Sequence, residues 1–531
     1  MEDPNVDTWW RHGVLYQIYV RSFRDANGDG IGDLEGVIER LDHLSWLGVD
    51  GVWLSPITRS PNLDWGYDVS DFRDVDPDLG DLTTLDRLIA EAGARGIRVV
   101  LDLVPNHTSD RHPWFVESRS STTSPMRDRY VWAAGRADGV PPNNWRSVFG
   151  GSAWTLDERT GEYYLHNFLD EQPDLNWWND DVRDEFEDII RFWFDRGVAG
   201  FRIDVAHGLV KDRHLRDNPP TTEDDPGPIR RQGQRHVYSM NRPETHEILR
   251  SWRAISDATS PRRVLIGETW VFDLDALARY HGAAGDQLHL CFNFPFAFAD
   301  LDASQLREIV SATELALPTD AQPAWMASNH DLGRFPTRWC DGREPAIRCA
   351  LLILLTLRGT PFLYYGDEIG MTEVEVPEDR IRDTVGRRAS AAEGRDRCRT
   401  PMPWTSDDGA GFSTGDAEPW LPVGDAEGRD VASQRDDPGS MLRLTRDLIT
   451  LRHASDDLRA GAYDPIEALP GVWAWRRGDA TTVAVNLTDR PASVDVRAGS
   501  VEISTDRAMD GAVIDGALEL GAWHGVVVRA T

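Results

Sequence analysis

The chain has 531 residues, of which 40% are hydrophobic and 27% are charged, and this is the composition of an ordinary water-soluble globular protein. At roughly 100–200 residues per domain, the length predicts two or three domains. The 89 acidic residues outnumber the 57 basic ones and give a formal charge of −32, which argues against nucleic acid or an anionic membrane as the main partner.

The chain begins without a basic segment followed by an apolar one, and its most apolar run, 350–357, is too short to span a membrane. The four cysteines lie far apart and form no CxxC pair, so neither a disulfide framework nor a thiolate metal site is predicted. We therefore expect a cytoplasmic protein with no membrane or nucleic-acid partner, present as a monomer or a homo-oligomer.

Short apolar runs alternate with amphipathic stretches along most of the chain. The predicted strands, in chain order, are Val14–Val20, Asp50–Leu54, Ile97–Val104, Ala199–Asp204, Val264–Glu268, His289–Asn293, Ala324–Ser328 and Pro361–Tyr365. Predicted helices such as Leu82–Ala94 and Val182–Phe194 lie between them. Repeated strand–helix units predict an α/β fold with parallel strands, and eight units close a (β/α)8 TIM barrel.

Two segments interrupt this rhythm. Residues 107–176 are too long for one crossover and predict a subdomain inserted after the third strand, which divides the barrel into 1–106 and 177–457. Residues from 369 to about 422 are charged and rich in Gly and Pro, and predict an elaborated loop over one barrel end. After a last helix at about Met441–His453, alternating runs over 458–531 predict a C-terminal antiparallel β domain.

Three predicted strands end in or just before a carboxylate: Asp204, Glu268 and Asp331. One such acid is often only a helix N-cap, but chemistry in a barrel sits at the carboxyl ends of its strands, and here three different strands of one predicted sheet carry an acid there. Cleavage of a glycosidic bond needs two carboxyl groups. Arg202 lies two residues before Asp204 on the same strand face, where a guanidinium favours an ionised carboxylate.

Four motifs carry a family resemblance: DLVPNHTS (102–109), GFRIDVA (200–206), IGETW (266–270) and SNHD (328–331). In this order they resemble the four signature regions of the α-amylase superfamily, glycoside hydrolase family 13. Further matching stretches, QPDLNWWND (172–180) among them, extend the resemblance over nearly the whole chain and make it closest to the α-glucosidase and oligo-1,6-glucosidase branch. That branch implies a barrel with a subdomain after the third strand and a C-terminal β-sandwich.

The resemblance implies a role for each acid. Asp204 would be the nucleophile that forms a glucosyl-enzyme, and Glu268 the general acid and then the base. Asp331 would hold the sugar hydroxyls and stabilise the transition state. His107 and His330 resemble the pair that hydrogen-bonds the same sugar, and Asp102 would support Arg202 rather than touch the substrate.

The segment 62–72 resembles the loop that closes the pocket of exo-acting α-glucosidases. By that resemblance, Asp64 binds the terminal glucose, Tyr67 stacks on its ring, and an arginine pairs with Asp64. Both Arg395 and Arg399 could supply this contact, and Arg395 is favoured because the family motif places it four residues before RTP. A carboxylate faced by an arginine makes a wall that admits only a chain end.

Three further residues bear on the pocket. Phe149 and Phe168, in the inserted segment, are candidates for apolar walls, and Trp65 departs from the family pattern and is expected to narrow the pocket mouth. Val205 occurs in relatives that prefer α-1,6 linkages, whereas the continuation AHGLVKD (206–212) resembles maltose-cleaving bacterial relatives. We favour α-1,4.

The resemblance thus predicts a retaining exo-acting α-glucosidase that acts on short oligosaccharides such as maltose through a glucosyl-Asp204 intermediate. The alternatives are an oligo-1,6-glucosidase, or a transglucosylase or a sucrose- or trehalose-converting isomerase on the same scaffold. A catalytically inactive relative would lack one of the three acids, and all three are present.

The stretch from Asp25 to Asp33 fits the D-x-N-x-D-G opening of a calcium loop, without the glutamate that completes an EF-hand. The resemblance implies a structural ion held by five residues: Asp25, Asn27, Asp29, Ile31 (through its backbone) and Asp33. Ca²⁺ is favoured, with Mg²⁺ as the alternative and an ion-free Asp/Gly turn as the third possibility. No organic cofactor is expected.

Overall fold

The computed structural model describes residues 8–137, 139–388 and 394–530, and eight parallel strands form its centre. These are β1 (Leu15–Ile18), β2 (Gly51–Leu54), β3 (Arg98–Leu103), β4 (Gly200–Ile203), β5 (Val264–Gly267), β6 (Leu290–Cys291), β7 (Ala324–Met326) and β8 (Thr360–Tyr364). Consecutive strands pair from β1 to β6 and from β7 to β8, β8 pairs with β1, and a bridge between Phe292 and Ala324 joins β6 to β7. The predicted (β/α)8 barrel is confirmed, with each strand inside or within one residue of its predicted segment.

Helices surround the barrel, and those between successive strands include Leu34–Glu39, Leu41–Leu47, Leu82–Ala94, Asp180–Asp195, Thr245–Ala258, Leu274–Arg279, Ala303–Ala316 and Glu344–Thr356, with Met441–Ala454 after β8. Further α-helices, of four to six residues, are Trp9–His12, Pro113–Ser118, Gly227–Gln232, Phe294–Ala297, Phe335–Arg338, Thr384–Arg388, Val431–Asp436 and Asp456–Ala460. The 3-10 turns are Val20–Ser22, Arg127–Arg129, Asp367–Ile369, Glu378–Arg380, Asp396–Cys398 and Asp408–Gly411. No helix in the described ranges has the length and apolarity needed to cross a bilayer.

The helix Asp180–Asp195 illustrates how local sequence sets these elements. The Asn179 side chain accepts the N–H of Asp181 as an N-cap, and acidic residues fill the first turn, where they complement the helix dipole. The apolar positions recur three and four residues apart, and the face that includes Phe186 and Trp193 is buried against the barrel. The helix was predicted from Val182 because the cap lies outside the apolar pattern.

The inserted segment after β3 contains a three-stranded antiparallel sheet of Trp132–Ala133, Glu162–Leu165 and Trp154–Asp157. Trp145 and Trp154 are buried in a small core of its own. A bridge between His107 and Asp174 fastens the segment to the carboxyl end of the barrel strands. The segment therefore stands over the end of the barrel at which the predicted site residues lie.

The C-terminal part forms a six-stranded antiparallel sheet, in the order Tyr463–Ile466, Val472–Arg477, Thr481–Asn486, His524–Ala530, Gly499–Ser504 and Val513–Ile514. A two-stranded ribbon of Ala492–Asp495 and Ala517–Leu520 packs on this sheet through one shared apolar cluster. Two β layers around a common core confirm the antiparallel C-terminal domain. The exact domain boundaries stay predictions.

Candidate active site

Strand register brings the predicted acids to one edge of the barrel. Asp102 on β3 pairs with Arg202 on β4, and Ile203 at the end of β4 pairs with Gly267 at the end of β5. The residues that follow these ends are Asp204 and Glu268. Because parallel strands finish at the same edge, side chains far apart in sequence become neighbours there.

One buried guanidinium holds these carboxylates. The Nη1 atom of Arg202 lies 2.8 Å from both Asp102 Oδ1 and Asp204 Oδ1, and its Nη2 atom lies 2.7 Å from Glu268 Oε2. The backbone N–H of Val205 also donates to Glu268 Oε2, at 3.0 Å. Asp204 and Glu268 therefore bind adjacent nitrogens of one planar cation and stand side by side.

Three carboxylates share this single cation. Burial raises the pKa of Asp204 well above its usual range, the Arg202 guanidinium opposes this, and the charges of Glu268 and Asp331 add to the rise. Burial likewise raises the pKa of Asp102 to about 6. The expectation that Arg202 favours the ionised form of Asp204 describes that contact correctly, while burial and the neighbouring carboxylates act in the opposite direction.

Asp331 has the opposite balance. Its Oδ1 atom accepts from Arg395 at 3.1 Å and from Arg399 at 2.9 Å, and its Oδ2 atom lies 3.0 Å from Nε2 of His330. Although burial opposes it, these three neighbours hold the pKa of Asp331 well below its usual range. Burial lowers the pKa of His330 to about 4, so its ring is neutral near pH 7 and the two arginines keep Asp331 ionised.

A hydrogen-bonded chain orients the His330 ring. Gln17 Nε2 donates to Nδ1 of His330 at 2.8 Å, which leaves the ring proton on Nε2. The Tyr67 hydroxyl lies 2.6 Å from that Nε2 and donates to Asp102 Oδ2 at 3.0 Å. The Tyr67 hydroxyl therefore connects His330 to Asp102 beside the carboxylate cluster.

An ion pair forms part of the cavity lining. Of the two arginines considered, Arg395 contacts Asp64, with Nη2 at 2.6 Å from Oδ1, whereas Arg399 contacts Asp331. Gln172 Nε2 lies 3.1 Å from Oδ2 of Asp64 and 3.1 Å from Nε2 of His107, and it ties the pair to that histidine.

Two partners in this wall were missed from the sequence. Gln172 stands in a motif that carried the family resemblance, so a signal existed without a role attached. Asp383 accepts from Arg395 Nη2 at 2.7 Å and lies in a charged loop whose sequence offers no signal.

These groups surround a cavity of about 1090 Å³. Nine predicted site residues line it: Asp64, Tyr67, His107, Phe149, Phe168, Asp204, Glu268, Asp331 and Arg395. Three others, Arg202, His330 and Arg399, are fully buried behind this lining and hold its carboxylates in position.

Three aromatic residues of the cavity wall were not predicted from the sequence. Trp270, Phe272 and Phe298 are half-buried, pack against one another with ring centroids 5.2–5.6 Å apart, and line the cavity beside Glu268. The Trp65 ring packs on Trp420, with ring centroids 4.9 Å apart, and Trp65 is not among the residues that line the cavity. The expectation that it narrows the mouth stays a prediction.

The five predicted metal ligands lie in one loop: Asp25, Asn27, Asp29, Ile31 and Asp33. Both carboxylate oxygens of Asp25 accept backbone N–H groups, from Gly28 at 2.6 Å and Gly30 at 2.8 Å. Asp33 caps the helix that begins at Leu34. In the parts of the chain that the structure describes, no group of three or more His, Cys, Asp or Glu side chains is arranged to hold a metal ion. The calcium prediction is therefore not confirmed.

Comparison with known proteins gives consistent matches over the whole chain. A family model described as alpha amylase, catalytic domain, matches residues 17–461. A probable α-glucosidase from Rhizobium meliloti (strain 1021) is 40% identical over 99% of this chain and 98% of its own. An oligo-1,6-glucosidase from Heyndrickxia coagulans is 38% identical over 92% of this chain and 93% of its own.

Two solved structures are similar over the same extent. An α-glucosyl transfer enzyme, XgtA, superposes with a TM-score of 0.92 at 40% identity and covers 98% of this chain and 99% of that chain. The trehalulose synthase MutB from Pseudomonas mesoacidophila MX-45 has a TM-score of 0.90 at 33% identity, with coverage of 98% and 99%.

Proposed function

The chain belongs to the α-amylase family of glycoside hydrolases, and from this premise we propose that it is a retaining, exo-acting α-glucosidase. Its substrates are short oligosaccharides such as maltose, from which it removes the non-reducing terminal glucose. The observation that carries the proposal is the pair of carboxylates, Asp204 and Glu268, on adjacent nitrogens of Arg202 at the cavity wall. Retaining enzymes need such a pair about 5–5.5 Å apart.

The reaction takes place in two steps. Asp204 attacks the anomeric carbon while Glu268 gives its proton to the departing glycosidic oxygen, so that a glucosyl-Asp204 ester forms and the rest of the sugar leaves. Glu268, now ionised, takes a proton from water as the water oxygen attacks the anomeric carbon and Asp204 leaves. Asp331, kept ionised by Arg395 and Arg399, stabilises the positive charge that develops on the sugar ring.

The deciding experiment is a substrate panel of maltose, isomaltose, sucrose, trehalose and p-nitrophenyl α-glucoside, with detection of the anomer released first. We expect glucose in the α-configuration, released singly from chain ends. Initial release of β-glucose would contradict retention, and release of maltose from longer chains would contradict a closed pocket. The ratio of maltose to isomaltose cleavage decides the linkage, for which we propose α-1,4.

A glucosyl transferase or isomerase is the second candidate function. The aromatic wall of Trp270, Phe272 and Phe298 beside Glu268 favours it, because sugar rings stack on aromatic faces and an acceptor held there competes with water. The two similar solved structures are an α-glucosyl transfer enzyme and a trehalulose synthase. A transferase would yield new disaccharides from maltose or sucrose at early times, whereas a hydrolase yields glucose.

The Asp64–Arg395 wall supplies a first testable consequence of this proposal. Asp64→Asn keeps the side-chain shape but removes the charged acceptor for the terminal glucose, and we expect kcat/KM on maltose to fall about 100-fold. Asp78→Asn, at an exposed carboxylate outside the cavity, is the matched control and should leave kcat/KM unchanged. Unaltered kinetics in Asp64→Asn would remove the argument for an exo-acting pocket.

We further propose that the loop from Asp25 to Asp33 binds a structural divalent cation, with Ca²⁺ preferred to Mg²⁺. Asp25 and Asp33 are both buried, and hard oxygen donors at alternate positions suit such an ion. Its removal by EDTA should lower the melting temperature by several degrees, and Ca²⁺ should restore it more fully than Mg²⁺ does. Asp29→Asn should weaken this response to Ca²⁺. An identical melting temperature with and without chelator would make the loop an ion-free turn.

The remaining expectations concern the protein's surroundings. A cytoplasmic location, no nucleic-acid or membrane partner, and a monomeric or homo-oligomeric state stay predictions. The four cysteines, all buried and free, support a reducing compartment. Cell fractionation and light scattering of the purified chain would test the location and the oligomeric state.

A further inference from the structure

The entrance of the cavity carries arginines that the reaction does not use. Arg146 comes from the inserted segment, and Arg231 and Arg235 come from the stretch after β4. Nη1 of Arg146 lies 3.0 Å from the position that a Cβ on Gly233 would occupy, and the Arg146 N–H donates to Oε1 of Gln234 at 3.1 Å. These contacts join the two segments, so the three arginines form one patch at the entrance, which we call the rim cluster.

The rim cluster has more positive than negative charge. Arg235 is paired with Asp225, whose Oδ2 atom lies 2.8 Å from its Nε atom. Arg146 and Arg231 are exposed, and within the described residues neither guanidinium has a carboxylate partner. Since Asp225 is already paired with Arg235, two guanidiniums remain available to a ligand in the cavity.

The position of the segment after β4 shows which part of a substrate would meet the rim cluster. The N–H of Asn241 donates to the carbonyl oxygen of His207 at 2.6 Å, and Nδ1 of His207 lies 3.4 Å from the carbonyl oxygen of Glu268. The segment therefore lies on the side of Glu268, the proton donor to the departing oxygen. The terminal glucose is assigned to the Asp64–Arg395 pair, so the leaving-group sugar extends past Glu268 towards the segment that carries Arg231 and Arg235.

We propose that Arg146 and Arg231 recognise an anionic group, a phosphate monoester or a carboxylate, on the leaving-group sugar. The inference rests on the proposed α-glucosidase activity and names its substrate class. A planar guanidinium binds either oxyanion through two parallel hydrogen bonds. A chain of formal charge −32 repels anions in general, so two unpaired arginines at the entrance provide a local site against that field.

The test compares hydrolysis of three substrates with one linkage: maltose, maltose phosphorylated at O6 of its reducing glucose, and maltobionate, whose reducing end is a carboxylate. Wild-type enzyme should have a higher kcat/KM for at least one anionic substrate than for maltose. In the double variant Arg146→Gln/Arg231→Gln, the ratio of kcat/KM on that anionic substrate to kcat/KM on maltose should fall about tenfold, as two partly exposed ion pairs would allow. Arg230→Gln, which removes an exposed charge on the same helix outside the cavity lining, is the matched control and should leave the ratio unchanged.

The two anionic substrates separate phosphate from carboxylate recognition, and added salt should reduce the preference because exposed charges are screened. Two results would overturn the inference: maltose preferred to both anionic substrates by the wild-type enzyme, or a ratio that survives the double substitution. Hydrolysis of p-nitrophenyl α-glucoside, which carries no such anion, is measured alongside. If the wild-type enzyme does not hydrolyse this substrate, the proposed function itself is rejected. If it does, but shows no preference for an anionic substrate over maltose, only anion recognition by the rim cluster is rejected.

Discussion

Asp204→Asn is expected to lower kcat on maltose by about 10⁴-fold or more, because the amide cannot form the glucosyl ester. The side chain keeps its volume and can still accept a hydrogen bond from Arg202, whose Nη1 atom lies 2.8 Å from Oδ1. The loss therefore measures chemistry rather than misfolding. Steady-state turnover near the wild-type value would refute the assignment of the nucleophile.

The same substitution should leave the melting temperature equal or higher. Since the folded state raises the pKa of Asp204, it disfavours the ionised carboxylate, and that cost is present at every pH above the folded pKa. A neutral amide removes it. Loss of activity together with retained stability separates a functional carboxylate from a structural one, and a large drop in melting temperature would point to a structural role.

Azide gives a second readout for this residue. In Asp204→Ala the small anion can enter the vacated space and attack the anomeric carbon directly, with release of the leaving group. A single displacement inverts the configuration, so p-nitrophenyl α-glucoside should yield β-glucosyl azide. The α-azide from this variant would contradict the assignment.

Glu268→Gln is expected to reduce kcat/KM on maltose by about 10²–10⁴-fold, the usual contribution of a general acid. With p-nitrophenyl α-glucoside, formation of the glucosyl-Asp204 ester should slow much less than with maltose, since nitrophenolate leaves without protonation. The glucosyl-enzyme should then accumulate, because no base activates water, and burst kinetics would reveal it.

In Glu268→Gln, azide should restore turnover and yield α-glucosyl azide, because it attacks the glucosyl-Asp204 ester and needs no base. Glu308→Gln, an exposed glutamate on the helix Ala303–Ala316, is the matched control and should behave as wild type. Equal losses on maltose and on p-nitrophenyl α-glucoside, with no azide response, would show that Glu268 is not the proton donor.

Local sequence determined most of the fold and the chemical centre. The alternation of apolar runs and amphipathic helices depends on neighbouring residues, so all eight barrel strands could be located before any contact was known. Asp204 and Glu268 could be singled out for the same reason, because a strand end is a local feature and parallel strands end together. Strand lengths were overestimated; the segment predicted as Val14–Val20 turns into a 3-10 turn at Val20–Ser22, where the chain leaves the sheet.

Only the tertiary structure decided how the centre is enclosed. The family motif favoured Arg395 as the partner of Asp64, more than 300 residues away in the chain. It gave no role to Asp383, from the same loop as Arg395, or to Gln172, from the inserted segment, and these two complete that wall. The rim cluster likewise joins the inserted segment to the stretch after β4. Loops carry no periodicity, and their contacts are set by the packing of distant segments, so no local pattern predicts them. Local periodicity therefore specified the barrel and its acids, whereas packing between distant loops specified the shape and charge of the pocket.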